Sequence, residues 1–143
     1  MKPLRVLYVE DEDDIRSIAL MVMESIGGFT VKACTRGAEA VEAAPDFHPD
    51  ILVLDVMMPG MNGPETLAKL REHPVTAQTP VIFMTAKMQS SEIKEYMDLG
   101  ALGVIDKPFD PMAMAGQIEE LWRKHLSLSI SSQPSGSAEI RKQ

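Results

Sequence analysis

The sequence has 143 residues, 45% of them hydrophobic and 24% charged, which suits one domain with one sizeable core and is too short for two ordinary domains. Fourteen Lys and Arg against 21 Asp and Glu give a formal charge of −7. With no basic stripe, that balance argues against a nucleic-acid-binding surface. The single cysteine, Cys34, excludes an intrachain disulfide, and no apolar stretch reaches the length of a membrane span or a signal-peptide core, so a reducing cytoplasm is the default.

Leu4 to Val9 is rich in β-branched and aromatic residues, stops at Glu10-Asp11, and predicts a buried strand. Apolar residues at 15, 18, 19, 22, 23 and 26 then predict a helix over Ile15–Ile26, with Asp13 or Asp14 to cap it and Gly27-Gly28 to end it. Phe29 to Cys34 predicts a second strand, and Ala38 to Ala44 a short helix stopped by Pro45. Ile51 to Leu54 is an apolar strand ending at Asp55, followed by the loop MMPGMNG and a helix over Pro64–Glu72. Pro80 to Met84 predicts a fourth strand, with a helix from Ser90 or Ser91 to about Leu99. Gly103 to Asp106 predicts a fifth strand, and Asp110 caps a last helix with Pro111 at its first position, running to about His125.

Five βα units imply an α/β fold, a doubly wound parallel sheet with helices on both faces. Residues 1–126 read as one domain. The segment 127–143, rich in Ser, Pro and Gly without apolar period, reads as a disordered tail or linker.

In an open sheet of this kind, ligands bind outside the carboxyl ends of the strands. There the chain places Glu10-Asp11, Asp55, Thr85-Ala86 and Lys107-Pro108, each just past an apolar run. Three carboxylates brought together repel unless a cation compensates, and Mg²⁺ favours a few carboxylates plus waters. A carboxylate at a strand tip can also act as nucleophile towards phosphorus, with an ammonium and a hydroxyl to stabilise the phosphoryl oxygens.

The segments LYVEDED, ILVLDVMMPGMNG, VIFMTA and GVIDKPF resemble, in order and spacing, the four signature blocks of response-regulator receiver domains, and the resemblance covers about residues 3 to 125. It implies the flavodoxin-like strand order 2-1-3-4-5 and a two-component signalling module rather than an enzyme. It also implies that Asp55 accepts a phosphoryl group from a histidine kinase or histidine phosphotransfer protein, with Mg²⁺ as cofactor. Asp11 matches the direct Mg²⁺ ligand and Glu10 its neighbour, while Met57 would lend the metal its backbone carbonyl. Thr85 matches the hydroxyl that bonds the phosphoryl group, Lys107 the lysine that pairs with it, and Pro108 follows a peptide bond that is often cis. Lys87 matches a position that influences water access to the phosphorylated Asp. A downstream protein target is implied, and the chain is a monomer or a phosphorylation-dependent dimer with no membrane or nucleic-acid partner.

One position departs from the pattern. The family commonly has Tyr or Phe three residues before the Lys, where ring rotation is coupled to the Thr shift, and here Val104 stands there. Glu12, Asp13 and Asp14 read as acidic decoration of a helix start, and His48, His73 and His125 have no ligand spacing. An Asp-nucleophile phosphatase of the haloacid-dehalogenase kind would carry a second Asp two residues on, where Met57 stands, and a cap domain that is lacking. No output domain follows in this sequence, so the chain reads as a stand-alone receiver or as one cut from a longer regulator.

Overall fold

The structure is a computed structural model that describes residues 2–86 and 88–132. Five strands, β1 (Arg5–Val9), β2 (Thr30–Cys34), β3 (Ile51–Asp55), β4 (Val81–Thr85) and β5 (Ala101–Asp106), alternate with helices α1 (Asp13–Ser25), α2 (Gly37–Phe47), α3 (Gly63–Arg71), α4 (Ser90–Asp98) and α5 (Met114–Ser132). All four strand pairings are parallel and the order is β2-β1-β3-β4-β5, as the resemblance implies.

Alternation along each strand sorts the apolar residues into two cores. Leu7, Val9, Leu52, Leu54, Val81 and Phe83 face α2, α3 and α4 through Ala40, Ala44, Leu67, Leu70 and Tyr96. Val6, Tyr8, Ile51, Val53, Ile82, Met84 and Ile105 face α1 and α5 through Ala19, Val22, Met23, Met114 and Ile118. A sheet covered on both faces needs near-continuous apolar strands, which is why these runs show no polar alternation. Because side chains repeat every second residue, Glu10 continues the row of Val6 and Tyr8, Asp55 that of Ile51 and Val53, and Lys107 that of Ile105.

The helix boundaries correct the sequence reading in four places. Helix α1 starts at Asp13, with Glu12 as an N-cap that makes no side-chain cap bond, so Asp13 and Asp14 sit in the first turn, where the helix dipole favours them. Pro45 does not stop α2, which runs on to Phe47. The proline forfeits one ladder bond near the helix end, while buried Ala40 and Ala44 hold the helix on the sheet. His48 then closes α2 in the left-handed conformation at φ 54°, its N–H bonded to Ala44 O. Asp110 opens a turn rather than the last helix: its side chain accepts from Met112 N at 3.0 Å and its carbonyl from Ala113 N and Met114 N, both at 3.0 Å, and α5 begins at Met114. Helix α5 continues to Ser132, so residues 127–132 of the expected tail are helical, and residues 133–143 lie outside the described residues. Among the described residues no helix is long and apolar enough to cross a membrane.

Candidate functional site

The acidic residues predicted from the sequence meet. Glu10, Asp11 and Asp55 each offer a carboxylate oxygen, and these oxygens lie within 4.8 Å of one another. Glu10 and Asp55 are buried, at 0% and 1% exposure, in a place where unpaired carboxylates are costly. Lys107 supplies the compensating charge, with Nζ 3.0 Å from Asp55 Oδ2, 3.3 Å from Glu10 Oε2 and 3.1 Å from Glu10 Oε1. Its side chain is itself largely covered, so these contacts are poorly screened by water.

Backbone pairing fixes these groups in register. Glu10 N–H donates to Cys34 O at 3.1 Å, Val56 N–H to Met84 O at 2.9 Å and Lys107 N–H to Thr85 O at 3.0 Å. The last of these ties the lysine to the threonine that ends β4, and Thr85 is buried beside it. The Lys107–Pro108 bond is cis, as expected. Met57 presents a 65% exposed side chain, while its backbone N–H bonds the Asp55 carboxylate.

The electrostatics follow from the packing. Burial, and then the charge of Asp55, push the Glu10 carboxyl up to about 7, against the pull of Lys107 and the Glu12 N–H. Burial also raises Asp55, opposed by Lys107, by the Glu10 carboxyl and by the Met57 N–H. Lys107 is raised despite its burial, because two carboxylates bond it. Three carboxylates facing one ammonium leave net negative charge in a site of oxygen donors, and Glu10 Oε1 is buried without a hydrogen-bond partner. Those residues fit a hard divalent cation.

Some neighbours escaped the sequence reading. Arg16 Nη1 donates to Glu10 O at 2.9 Å and Nη2 to Asp13 Oδ1 at 2.6 Å, bracing the start of α1 against the acidic pair. Glu12, read as decoration, donates its N–H to Glu10 Oε2 at 3.2 Å and brings its own carboxylate to 3.9 Å from Lys107. Beside Asp11 a cavity of about 400 Å³ opens, lined by Thr35, Arg36, Pro59 and Gly60. Val104 pairs with Phe83 in register and packs against the α4 side of the core, where the Phe83 and Tyr96 rings lie 5.3 Å apart. Lys87 lies outside the described residues.

A sequence profile described as the response regulator receiver domain matches residues 6–119. Among curated proteins, the chain is 35% identical over 133 residues to the probable transcriptional regulator ycf29 of Pyropia yezoensis, covering 92% of this chain and 60% of that protein. It is 35% identical over 125 residues to the transcriptional regulatory protein SrrA of Staphylococcus aureus, covering 87% of this chain and 50% of SrrA. The chain thus spans about half to three-fifths of the length of these relatives. Among solved structures it is similar to the chemotaxis protein CheY4 of Vibrio cholerae, with TM-score 0.77 and 27% identity over 84% of this chain and 99% of that one. A putative response regulator from Chloroflexus aurantiacus matches with TM-score 0.75 and 28% identity, over 85% and 99% of the two chains.

Proposed function

The chain belongs to the response-regulator receiver family, and from that premise we propose that it accepts a phosphoryl group on Asp55 in a Mg²⁺-dependent reaction and switches a protein-interaction face. The observation that carries the reading is a buried Asp55 carboxylate paired with Lys107 at 3.0 Å inside a cluster with Glu10 and Asp11.

In the proposed step, an Asp55 oxygen attacks phosphorus of a phosphohistidine on a histidine kinase or phosphotransfer protein. The oxygen–phosphorus bond forms as the nitrogen–phosphorus bond breaks, and the imidazole leaves with the electron pair and takes a proton. Lys107, already on the Asp55 carboxylate, follows the developing charge on the phosphoryl oxygens, and the Thr85 hydroxyl is assigned to bond them once they arrive. Glu10, Asp11, Asp55 and the Met57 carbonyl would hold Mg²⁺, which supplies charge neutralisation between nucleophile and incoming group. The acceptor is consumed and must be hydrolysed before it acts again, so the protein is read as a signalling module in the cytoplasm rather than as an enzyme. The acceptor's new charge biases a two-state element. A protein target is proposed for this domain. The transcriptional role in the names of the longer relatives is theirs.

The test is incubation with Mg²⁺ and phosphoramidate, followed by intact mass. The wild type gains one acid-labile phosphoryl group and Asp55→Asn gains none. A folded, Mg²⁺-binding wild type that stays unmodified would overturn the reading.

A further inference from the structure

Tyr8 and Glu10 are successive members of one row on the same face of β1, and among the described residues they hold the two buried side-chain polar atoms without a hydrogen-bond partner. One is the Tyr8 hydroxyl, a donor. The other is Glu10 Oε1, an acceptor. Buried polar groups are paired in native structures, so each orphan calls for an account.

The asymmetry at Glu10 sharpens the point. Its Oε2 receives both the Glu12 N–H at 3.2 Å and Lys107 Nζ at 3.3 Å. Its Oε1 is approached by Lys107 Nζ at 3.1 Å but receives no aligned donor. Tyr8 lies fully buried in the layer directly below, in register with Ala33 on one side and Val53 on the other. Phenylalanine would fill that layer without bringing a hydroxyl into it.

We propose that Tyr8 is a positioning residue of the acidic pocket: its hydroxyl donates across one buried water to Glu10 Oε1, and holds that carboxylate from the sheet interior while Lys107 and the Glu12 N–H hold Oε2. This rests on the divalent-cation reading above. It adds a residue from the sheet interior to a site otherwise built from strand ends.

The test compares wild type, Tyr8→Phe and Glu10→Gln, full chain, by isothermal titration with MgCl₂ and by thermal unfolding in EDTA. Tyr8→Phe binds Mg²⁺ about tenfold more weakly, one hydrogen bond to a charged group, with a modest loss of metal-free Tm. A slowly exchanging tyrosine hydroxyl proton, seen by NMR in wild type, shifts in Glu10→Gln. Wild-type affinity in Tyr8→Phe overturns the proposal. If Tyr8→Phe fails to fold, the hydroxyl proton decides, and its absence in wild type or its indifference to Glu10→Gln overturns the proposal. If wild type itself binds no Mg²⁺, the functional reading falls and takes this one with it. If wild type binds and Tyr8→Phe matches it, only the role of the hydroxyl falls.

Discussion

Lys107 and Asp55, 52 residues apart in the chain, are joined by a 3.0 Å hydrogen-bonded ion pair that links the end of β5 to the end of β3 across β4. With Asp55 2% exposed at its side chain and Lys107 15%, the pair is buried enough that removing one partner strands the other. Lys107→Ala should lower metal-free stability by about 2 kcal/mol, and the deficit should shrink in saturating Mg²⁺, where a cation replaces the lost charge. Urea unfolding in EDTA and in MgCl₂ measures both. An equal deficit in the two conditions would count against a cation at this site.

Glu10 sets a pH dependence whose sign is fixed by its environment. Its folded-state pKa is raised from 4.5 to about 7, so between those values the folded protein binds more protons than the unfolded chain. Stability from this group is fully present below the unfolded value and is lost as pH rises towards 7. Asp55, also raised, acts in the same direction. Lys107, raised above 10.5, contributes nothing that changes in this window. The Tm in EDTA should therefore fall as pH rises from about 4.5 to 7, and Glu10→Gln should flatten the slope.

Tyr96 is the one residue of α4 that is buried, and its ring lies 5.3 Å from that of Phe83. A nine-residue helix anchored by one aromatic opens cheaply. Tyr96→Ala should cost about 3 kcal/mol and speed amide exchange in α4 at least tenfold, with little change in β1 and β3. Hydrogen exchange with mass spectrometry resolves the two regions. Uniform acceleration across the sheet would show that α4 is not a separately opening unit.

Asn62 and Glu65 close a capping box at α3, with Glu65 N–H to Asn62 Oδ1 at 2.8 Å and Asn62 N–H to Glu65 Oε1 at 2.9 Å. Asn62→Ala should cost about 1 kcal/mol. Because each side chain serves the other's backbone, the double substitution with Glu65→Ala should cost less than the two single losses added together. Chemical unfolding of the three variants checks this cycle.

The strands and the site residues were legible in the sequence because a doubly covered sheet demands apolar runs, and the first charged residue after each run falls at one edge. Glu10 and Asp55 follow from that rule, whereas Asp11, Thr85 and Lys107, which stands behind Asp106, are singled out by the resemblance to the signature blocks. Helix ends were read less well. Pro45 reads as a stop because a proline removes a donor and crowds the preceding turn, but α2 runs on to Phe47 with Ala40 and Ala44 buried against the sheet. The Asn62-x-x-Glu65 pattern is the sequence signature of the capping box that opens α3. Tyr8 could not have been singled out, since a strand tyrosine is ordinary until its hydroxyl is seen to lack a partner. Glu12 is a related case: a chain-local reading cannot tell that Lys107 returns to within 3.9 Å of its carboxylate.

Helix α5 offers a mechanical consequence. Among the side chains described up to residue 128, its fully buried residue furthest along the chain is Ile118, yet the helix runs on to Ser132, with Leu126 and Leu128 already 43% and 70% exposed. From Met114 to Ser132 an α-helix spans about 27 Å at 1.5 Å per residue. The helix stays packed on the core through Leu121 and Trp122, and its stretch beyond them acts as a lever arm. A tilt of about 10° at Trp122 would carry Ser132, about 15 Å further along the rod, by roughly 3 Å, so a small repacking under the helix is amplified at its far end.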